Sequence, residues 1–210
     1  DVARLKRFKL NEATEGWAGG KDSRASTGAK TGTEILEGIF RLVEVAYGFP
    51  PDSTQKKIIR GMVGSIMPAI FRHEPPANAK RAASAYGIES TKCRFMVITP
   101  RRCGKTISVS MFVCAYMLSC PDSVTCVFSV GKRASGMLMG NVKQMVDKIL
   151  GDPSYGCKGT IVTSNAETLE VCVDGTLRRM HAYPGSTTTL RGVGGSRLCP
   201  LNCLLVSYGR

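Results

Sequence analysis

The chain has 210 residues, of which 43% are hydrophobic and 21% are charged, as is ordinary for a globular protein with one sizeable core. It contains no run of eighteen apolar residues, and the nearest candidate, residues 107–120, is too short to span a bilayer. The N-terminal residues lack the apolar region of a signal peptide. We therefore expect neither a membrane span nor export.

The net charge of +13 favours polyanionic partners, and a nucleic-acid backbone is the commonest of these. A merely basic surface is the alternative. The excess is uneven, because no acidic residue follows Asp174. Five arginines do follow it: Arg178, Arg179, Arg191, Arg197 and Arg210.

The nine cysteines form no Cys-x-x-Cys pair, and the two histidines, His73 and His181, do not stand at ligand spacing from them. This pattern argues against a zinc site. Cys114, Cys126 and Cys172 fall in apolar runs, where cysteine acts as a small buried hydrophobe. We expect a reducing compartment, which for this chain means the cytosol or nucleus.

The N-terminal third is predicted to be an arm followed by helices. Residues 1–32 are rich in Gly, Ser and Thr toward their end and indicate a flexible basic arm or linker. Apolar residues at helical spacing predict a helix over 33–47, and capping residues predict another over 52–71. Residues 74–92 are predicted to form a basic loop or short helix, which completes a helical segment over 33–92.

Residues 93–210 are predicted to form the core. A strand at 94–98, a helix at 104–119, a strand at 124–129 and a helix at 132–150 alternate as in a parallel sheet with crossover helices.

Three short strands are predicted next, at 159–163, 168–173 and 176–182. Asp174-Gly175 indicates a hairpin between the last two. The predicted fold class is α/β, with a mostly parallel sheet flanked by helices and a β-hairpin near 168–182.

The octapeptide Thr99-Pro-Arg-Arg-Cys-Gly-Lys-Thr106 has the features of a P-loop, and it stands between an apolar strand and an apolar helix. In such a loop, backbone N–H groups and a helix N-terminus bind phosphate. Gly104 allows close approach, Lys105 reaches the β- and γ-phosphates, and the Thr106 hydroxyl ligates Mg²⁺. The alternative is a strand-to-helix turn with a capping threonine.

The loop departs from the usual pattern at its first position, where Thr99 replaces glycine. Pro100 partly compensates, because it holds Thr99 in an extended conformation. Arg101 and Arg102 add positive charge where a triphosphate would lie, although either can equally be a solvated residue or a DNA contact. Cys103, the remaining loop residue, is interpreted as a labelling handle.

Residues 95–106 resemble the variant P-loop of the terminase large subunit of herpesviruses and tailed phages, which lacks the first glycine and carries Pro-Arg-Arg-x-Gly-Lys-Thr. Three later segments, 128–134, 165–176 and 187–192, resemble that family in the same order. The resemblance covers roughly residues 53–195.

The resemblance implies an additional-strand P-loop NTPase that binds ATP and Mg²⁺ and drives double-stranded DNA into a capsid. It makes Lys105 and Thr106 the phosphate and magnesium ligands, Arg101 an arginine finger and Gln55 the adenine-sensing glutamine. It also implies portal and small terminase subunits as partners, a homo-oligomeric ring without a membrane, and a location in the host nucleus or cytoplasm.

One departure from the family is serious. The family strand after the Arg-Gly loop ends in Asp-Glu, whereas the corresponding run here, 201–206, is followed by Ser207 and Tyr208. We expect a truncated gene product without the nuclease domain, out of register from about Arg197, and hydrolysis at or near background.

Two other functions stay open. One is another nucleic-acid-dependent ATPase, such as a helicase. The other is a degenerate P-loop domain that binds DNA or partner subunits without turnover. Robust hydrolysis would mean that Glu167, Glu170 or Asp174 replaces the missing carboxylates.

Overall fold

The computed structural model describes residues 30–92, 95–98, 103–129, 132–184 and 203–208. The arm predicted over 1–32 lies outside the described residues up to residue 29, and every element below belongs to the unit Thr31–Arg210. Among the described residues, each helix is too short or too polar to cross a bilayer.

The first three helices are α1 (Gly32–Ala46), α2 (Ser53–Ile70) and α3 (Pro76–Ala85). The sequence predicted α1 and α2, and both begin with a capping box, Thr31 with Glu34 and Asp52 with Gln55. In such a box, the N-cap side chain accepts a hydrogen bond from the backbone N–H three residues later, and the side chain of that residue accepts one from the N-cap N–H. In the region predicted as a basic loop or short helix, α3 is the short helix.

Two longer helices and five strands follow. The helices are α4 (Lys105–Ser119) and α5 (Lys132–Gly151), which confirm the predicted ones. The strands are β1 (Val124–Ser129), β2 (Gly159–Ser164), β3 (Thr168–Val173), β4 (Thr176–Pro184) and β5 (Cys203–Tyr208).

The five strands form one mixed sheet in the order β2-β3-β4-β1-β5. Strand β1 pairs parallel with β4 and β5, whereas β2–β3 and β3–β4 pair antiparallel. The prediction of a mostly parallel sheet is therefore wrong, because short turns join β2 to β3 and β3 to β4. The predicted hairpin is confirmed: Asp174 and Gly175 have φ of 52° and 74°, the positive values that a two-residue turn requires.

The strand predicted at 94–98 is not formed by the described residues 95–98. Met96 and Ile98 are 81% and 88% exposed. A strand needs a neighbour, and the two edges of β1 are already paired with β4 and β5. Phe95 instead packs on α2, where a methyl group at Gly61 would overlap its ring.

One hydrophobic core joins the described helices to one face of the sheet. Helix α4 lies at its centre, with every residue from 108 to 119 buried. Alternate strand residues such as Leu169, Val171 and Met180 point toward the helices and are fully buried. The protein therefore has a mixed α/β fold, with a mixed sheet flanked by helices.

Candidate phosphate-binding site

The start of α4 lies at the edge of the sheet where the parallel strands end. Helix α4 is followed within five residues by β1, so the two run in opposite directions. At the other end of α4, Arg178 near the start of β4 donates from Nη1 to the carbonyl oxygen of Met117, 2.8 Å away. The N-terminus of α4 thus points to the carboxyl ends of β1 and β4, the edge at which α/β sheets bind ligands.

Gly104 is the N-cap of α4 and has φ 68° and ψ 13°, a left-handed conformation that favours glycine. No side chain caps this helix start. The Gly104 carbonyl accepts hydrogen bonds from the backbone N–H and the hydroxyl of Ser108, at 2.9 and 3.0 Å. The first N–H groups of a helix have no partner within it, so such a start can bind an anion.

Lys105 and Thr106 are the first two residues of α4, and both are half-buried. An ammonium and a hydroxyl group therefore stand in the first turn, beside the helix amides. Gly104 occupies the N-cap position and Thr106 lies inside the helix, so Thr106 does not cap the helix as in a simple strand-to-helix turn. Cys103 precedes the cap and is also half-buried.

Gln55 lies against this helix start, although it is 49 positions away in sequence. Its side chain is buried, and a methyl group at Gly104 would stand 2.8 Å from its Nε2 atom. Its Oε1 accepts the Asp52 N–H at 2.9 Å, and its own N–H donates to Asp52 Oδ1 at 2.8 Å. The structure thus brings together Gln55 and Gly104, two of the predicted site residues.

Some predicted residues lie outside the part of the chain that the structure describes. These are Thr99, Pro100, Arg101 and Arg102 of the loop, and the Thr187–Gly192 segment. The arginine finger assigned to Arg101 therefore remains a prediction.

The three candidate substitute carboxylates occupy different places. Glu170 accepts hydrogen bonds from the Thr163 hydroxyl at 2.8 Å and from Arg179 Nε at 2.9 Å. These bonds hold the pKa of Glu170 below its ordinary value. Asp174 is in the hairpin turn that precedes Arg178, at the far end of α4 from Gly104.

Glu167 is at the nearer end of the sheet. It is exposed, and its carbonyl accepts the N–H of Ala182, close to the carboxyl end of β4. Of the three residues, Glu167 is the one that is both exposed and close to the carboxyl end of β4.

Two features escaped prediction from the sequence. One is the Asp52–Gln55 box, although the spacing Asp-x-x-Gln before an apolar helix is its signature. The other is the buried Arg178, for which β4 offers no signal, since two arginines stand side by side. Among the described residues, no group of three or more His, Cys, Asp or Glu residues could hold a metal ion. The Thr106 hydroxyl remains the predicted magnesium ligand.

Comparison with known proteins gives a sparse result. No family model and no curated protein matches the chain. Among solved structures that match, the large terminase ATPase domain of Thermus phage P74-26 aligns with a TM-score of 0.48 and 12% identity. The alignment covers 80% of this chain and 68% of that one.

Proposed function

We propose that the chain is the ATP-binding domain of a viral DNA-packaging motor, a terminase large subunit. The observation that carries the proposal is the start of α4, where a left-handed Gly104 is followed by Lys105 and Thr106. This start lies where the parallel strands end, and the loop sequence before it resembles that of the family.

The residues present suit a nucleoside triphosphate with Mg²⁺. The backbone amides at the start of α4 would bind phosphate oxygens, Lys105 would neutralise their charge, and Thr106 would complete the magnesium sphere. Bound Mg²⁺ would withdraw charge from the phosphates. The same proposal gives Arg101 the role of stabilising charge on the terminal phosphate.

The test is a thermal-shift measurement. We expect MgATP to raise the melting temperature of the wild-type protein, because a ligand bound only to the native state stabilises that state. Lys105→Ala should abolish the shift, whereas Lys158→Ala, a change far along the chain in the segment before β2, should keep it. An unchanged shift in Lys105→Ala would overturn the phosphate site.

A domain that binds nucleotide without turnover is the second candidate. It is favoured by two observations: Glu170 is held by Thr163 and Arg179, and Asp174 lies at the wrong end of α4. Phosphate release from ATP near background would support this candidate. Turnover that Glu167→Gln removes would instead identify Glu167 as the acid that orients the attacking water.

Double-stranded DNA is the proposed partner, and the net charge of +13 supports it. From the start of α2 to the loop segment, the described residues include six exposed cations: Lys57, Arg60, Arg72, Lys80, Arg81 and Lys92. We expect DNA affinity to fall steeply as salt rises, since released counterions drive such binding. Salt-independent affinity would contradict the proposal.

The proposed motor would work as a homo-oligomeric ring with portal and small terminase subunits, in the host nucleus or cytoplasm. These assignments follow from the terminase proposal. Co-purification with a portal protein and ring formation in the presence of MgATP would test them.

A further inference from the structure

The orientation of the Gln55 carboxamide is fixed by its partner. Its hydrogen bond from the Asp52 N–H, at 2.9 Å, requires an acceptor, so the atom on that side is Oε1. The other atom is therefore Nε2, a donor, and it faces Gly104. The carboxamide is thus occupied on one side by the start of α2 and directed on the other at the start of α4.

This arrangement is poorly suited to reading an adenine base. A glutamine recognises adenine with both ends of its amide, donating to N7 and accepting from the N6 amino group. In Gln55 the accepting end is already occupied, and the side chain is only 9% exposed. The remaining donor could contact N7, which adenine and guanine share.

We propose that Gln55 is a positioning residue, which holds Gly104 and the first turn of α4 against α2 so that the phosphate site is formed whichever base is attached. The proposal rests on the proposed function. The close fit supports it, because the space that a side chain at Gly104 would fill is occupied by the carboxamide. The donor Nε2 also adds positive character beside the phosphates.

Gln55→Glu is the sharpest variant. Glutamate at this position still accepts the Asp52 N–H, as in the standard capping box, so the start of α2 is retained. The only change is that a charged oxygen replaces the donor facing Gly104. Gln144→Glu, which makes the same substitution at an exposed position in α5, is the matched control.

The experiment is calorimetric titration of each protein with MgATP, MgGTP and magnesium tripolyphosphate, which has no base, well below each melting midpoint. For Gln55→Glu we expect the affinity for all three probes to fall by one common factor of about tenfold. Its melting temperature should fall below that of Gln144→Glu, because the carboxylate at residue 55 is buried, whereas Gln144→Glu should keep the affinity of the wild type for all three probes. Gln55→Ala should weaken all three probes and also lower the melting temperature.

Three results would overturn the inference. If Gln55→Glu weakened MgATP alone and left tripolyphosphate unchanged, Gln55 would be a base reader. If Gln55→Glu bound all probes like the wild type, Gln55 would serve only to cap α2. Failure of the proposed function is distinguishable, because the wild-type protein itself would then bind none of the three.

Discussion

The two ends of α4 differ in whether a side chain caps the backbone groups at the end of the helix. At the C-terminal end, Arg178 is 1% exposed and donates to the Met117 carbonyl, so an orphan acceptor is satisfied from within. At the N-terminal end, Gly104 offers no side-chain cap, and Lys105 is half-buried. The comparison teaches that a buried side chain completes the C-terminal end of the helix during folding, whereas the N-terminal end is the one at which we propose that a ligand binds.

The pKa values of Arg178 and Cys120 reflect the burial of both side chains at the C-terminal end of α4. Burial lowers the pKa of its guanidinium, and the charges of Asp174 and Asp122 partly oppose that effect. Burial also raises the pKa of the neighbouring Cys120 thiol to about 11. Both groups are therefore in an environment of low polarity.

The largest effect is expected from Arg178→Ala. The change leaves a cavity and an unsatisfied Met117 carbonyl, so we expect the free energy of unfolding to fall by about 3 kcal/mol, measured in urea. The control is the neighbouring Arg179→Ala, which removes a half-buried ion pair with Glu170 and should cost below about 1 kcal/mol. If both variants lost the same free energy of unfolding, the hydrogen bond and burial of Arg178 would not be what stabilises the C-terminal end of α4.

Thiol labelling compares the two ends directly. With iodoacetamide at neutral pH, Cys103 should react and Cys120 should react at least about a hundredfold more slowly, since only the thiolate is a nucleophile. Peptide mass spectrometry separates the sites, and MgATP should protect Cys103. Rapid labelling of Cys120 in the native protein would contradict the comparison.

Gly104→Ala tests the N-terminal end of α4. Its φ of 68° disfavours a side chain, so we expect a stability loss of about 1–2 kcal/mol together with weaker MgATP binding. Gly175→Ala is matched in backbone conformation, because Gly175 has φ 74°, but no atom lies near a methyl group built there. It should lose less stability than Gly104→Ala, whose methyl group also meets Gln55, and it should bind MgATP normally. Weaker binding in both variants would remove the special role of Gly104.

The smallest effect is expected on the sheet face that bears Glu170 and His181. Burial lowers the pKa of His181 below its ordinary 6.5, so on acidification the unfolded chain takes up a proton first and stability falls. The lowered pKa of Glu170 acts in the same direction at lower pH, where protonation breaks its bonds. Between pH 7 and 5.5, His181→Gln should flatten the stability profile by below about 1 kcal/mol, without changing MgATP affinity. A steeper profile in His181→Gln would mean that the histidine stabilises the fold as the pH falls, which is the opposite sign.

Local signals in the sequence were enough to predict most helices and the hairpin. Asp52 marks a helix start, and Asp174-Gly175 marks a tight turn, because each acts on its own backbone. The start of α4 was also predictable, since Gly104 precedes a long apolar run.

Pairing between distant segments could not be predicted. The apolar run at 95–98 looked like a strand, but whether it pairs depends on which edges of β1 remain open. Arg178 and Arg179 are adjacent, and only the register of β4 decides which one is buried. The contact between Gln55 and Gly104 depends on how α2 packs, so the sequence indicated the two residues separately without their contact.

Helix α2 touches the chain before the octapeptide and within it: Phe95 lies over Gly61, and Gln55 meets Gly104. Phe95 and Gly104, the two anchors on α2, lose their conformational entropy when the protein folds. If the proposed function holds, the cost of ordering these two residues is met during folding, and less of the binding free energy of the nucleotide is spent on it.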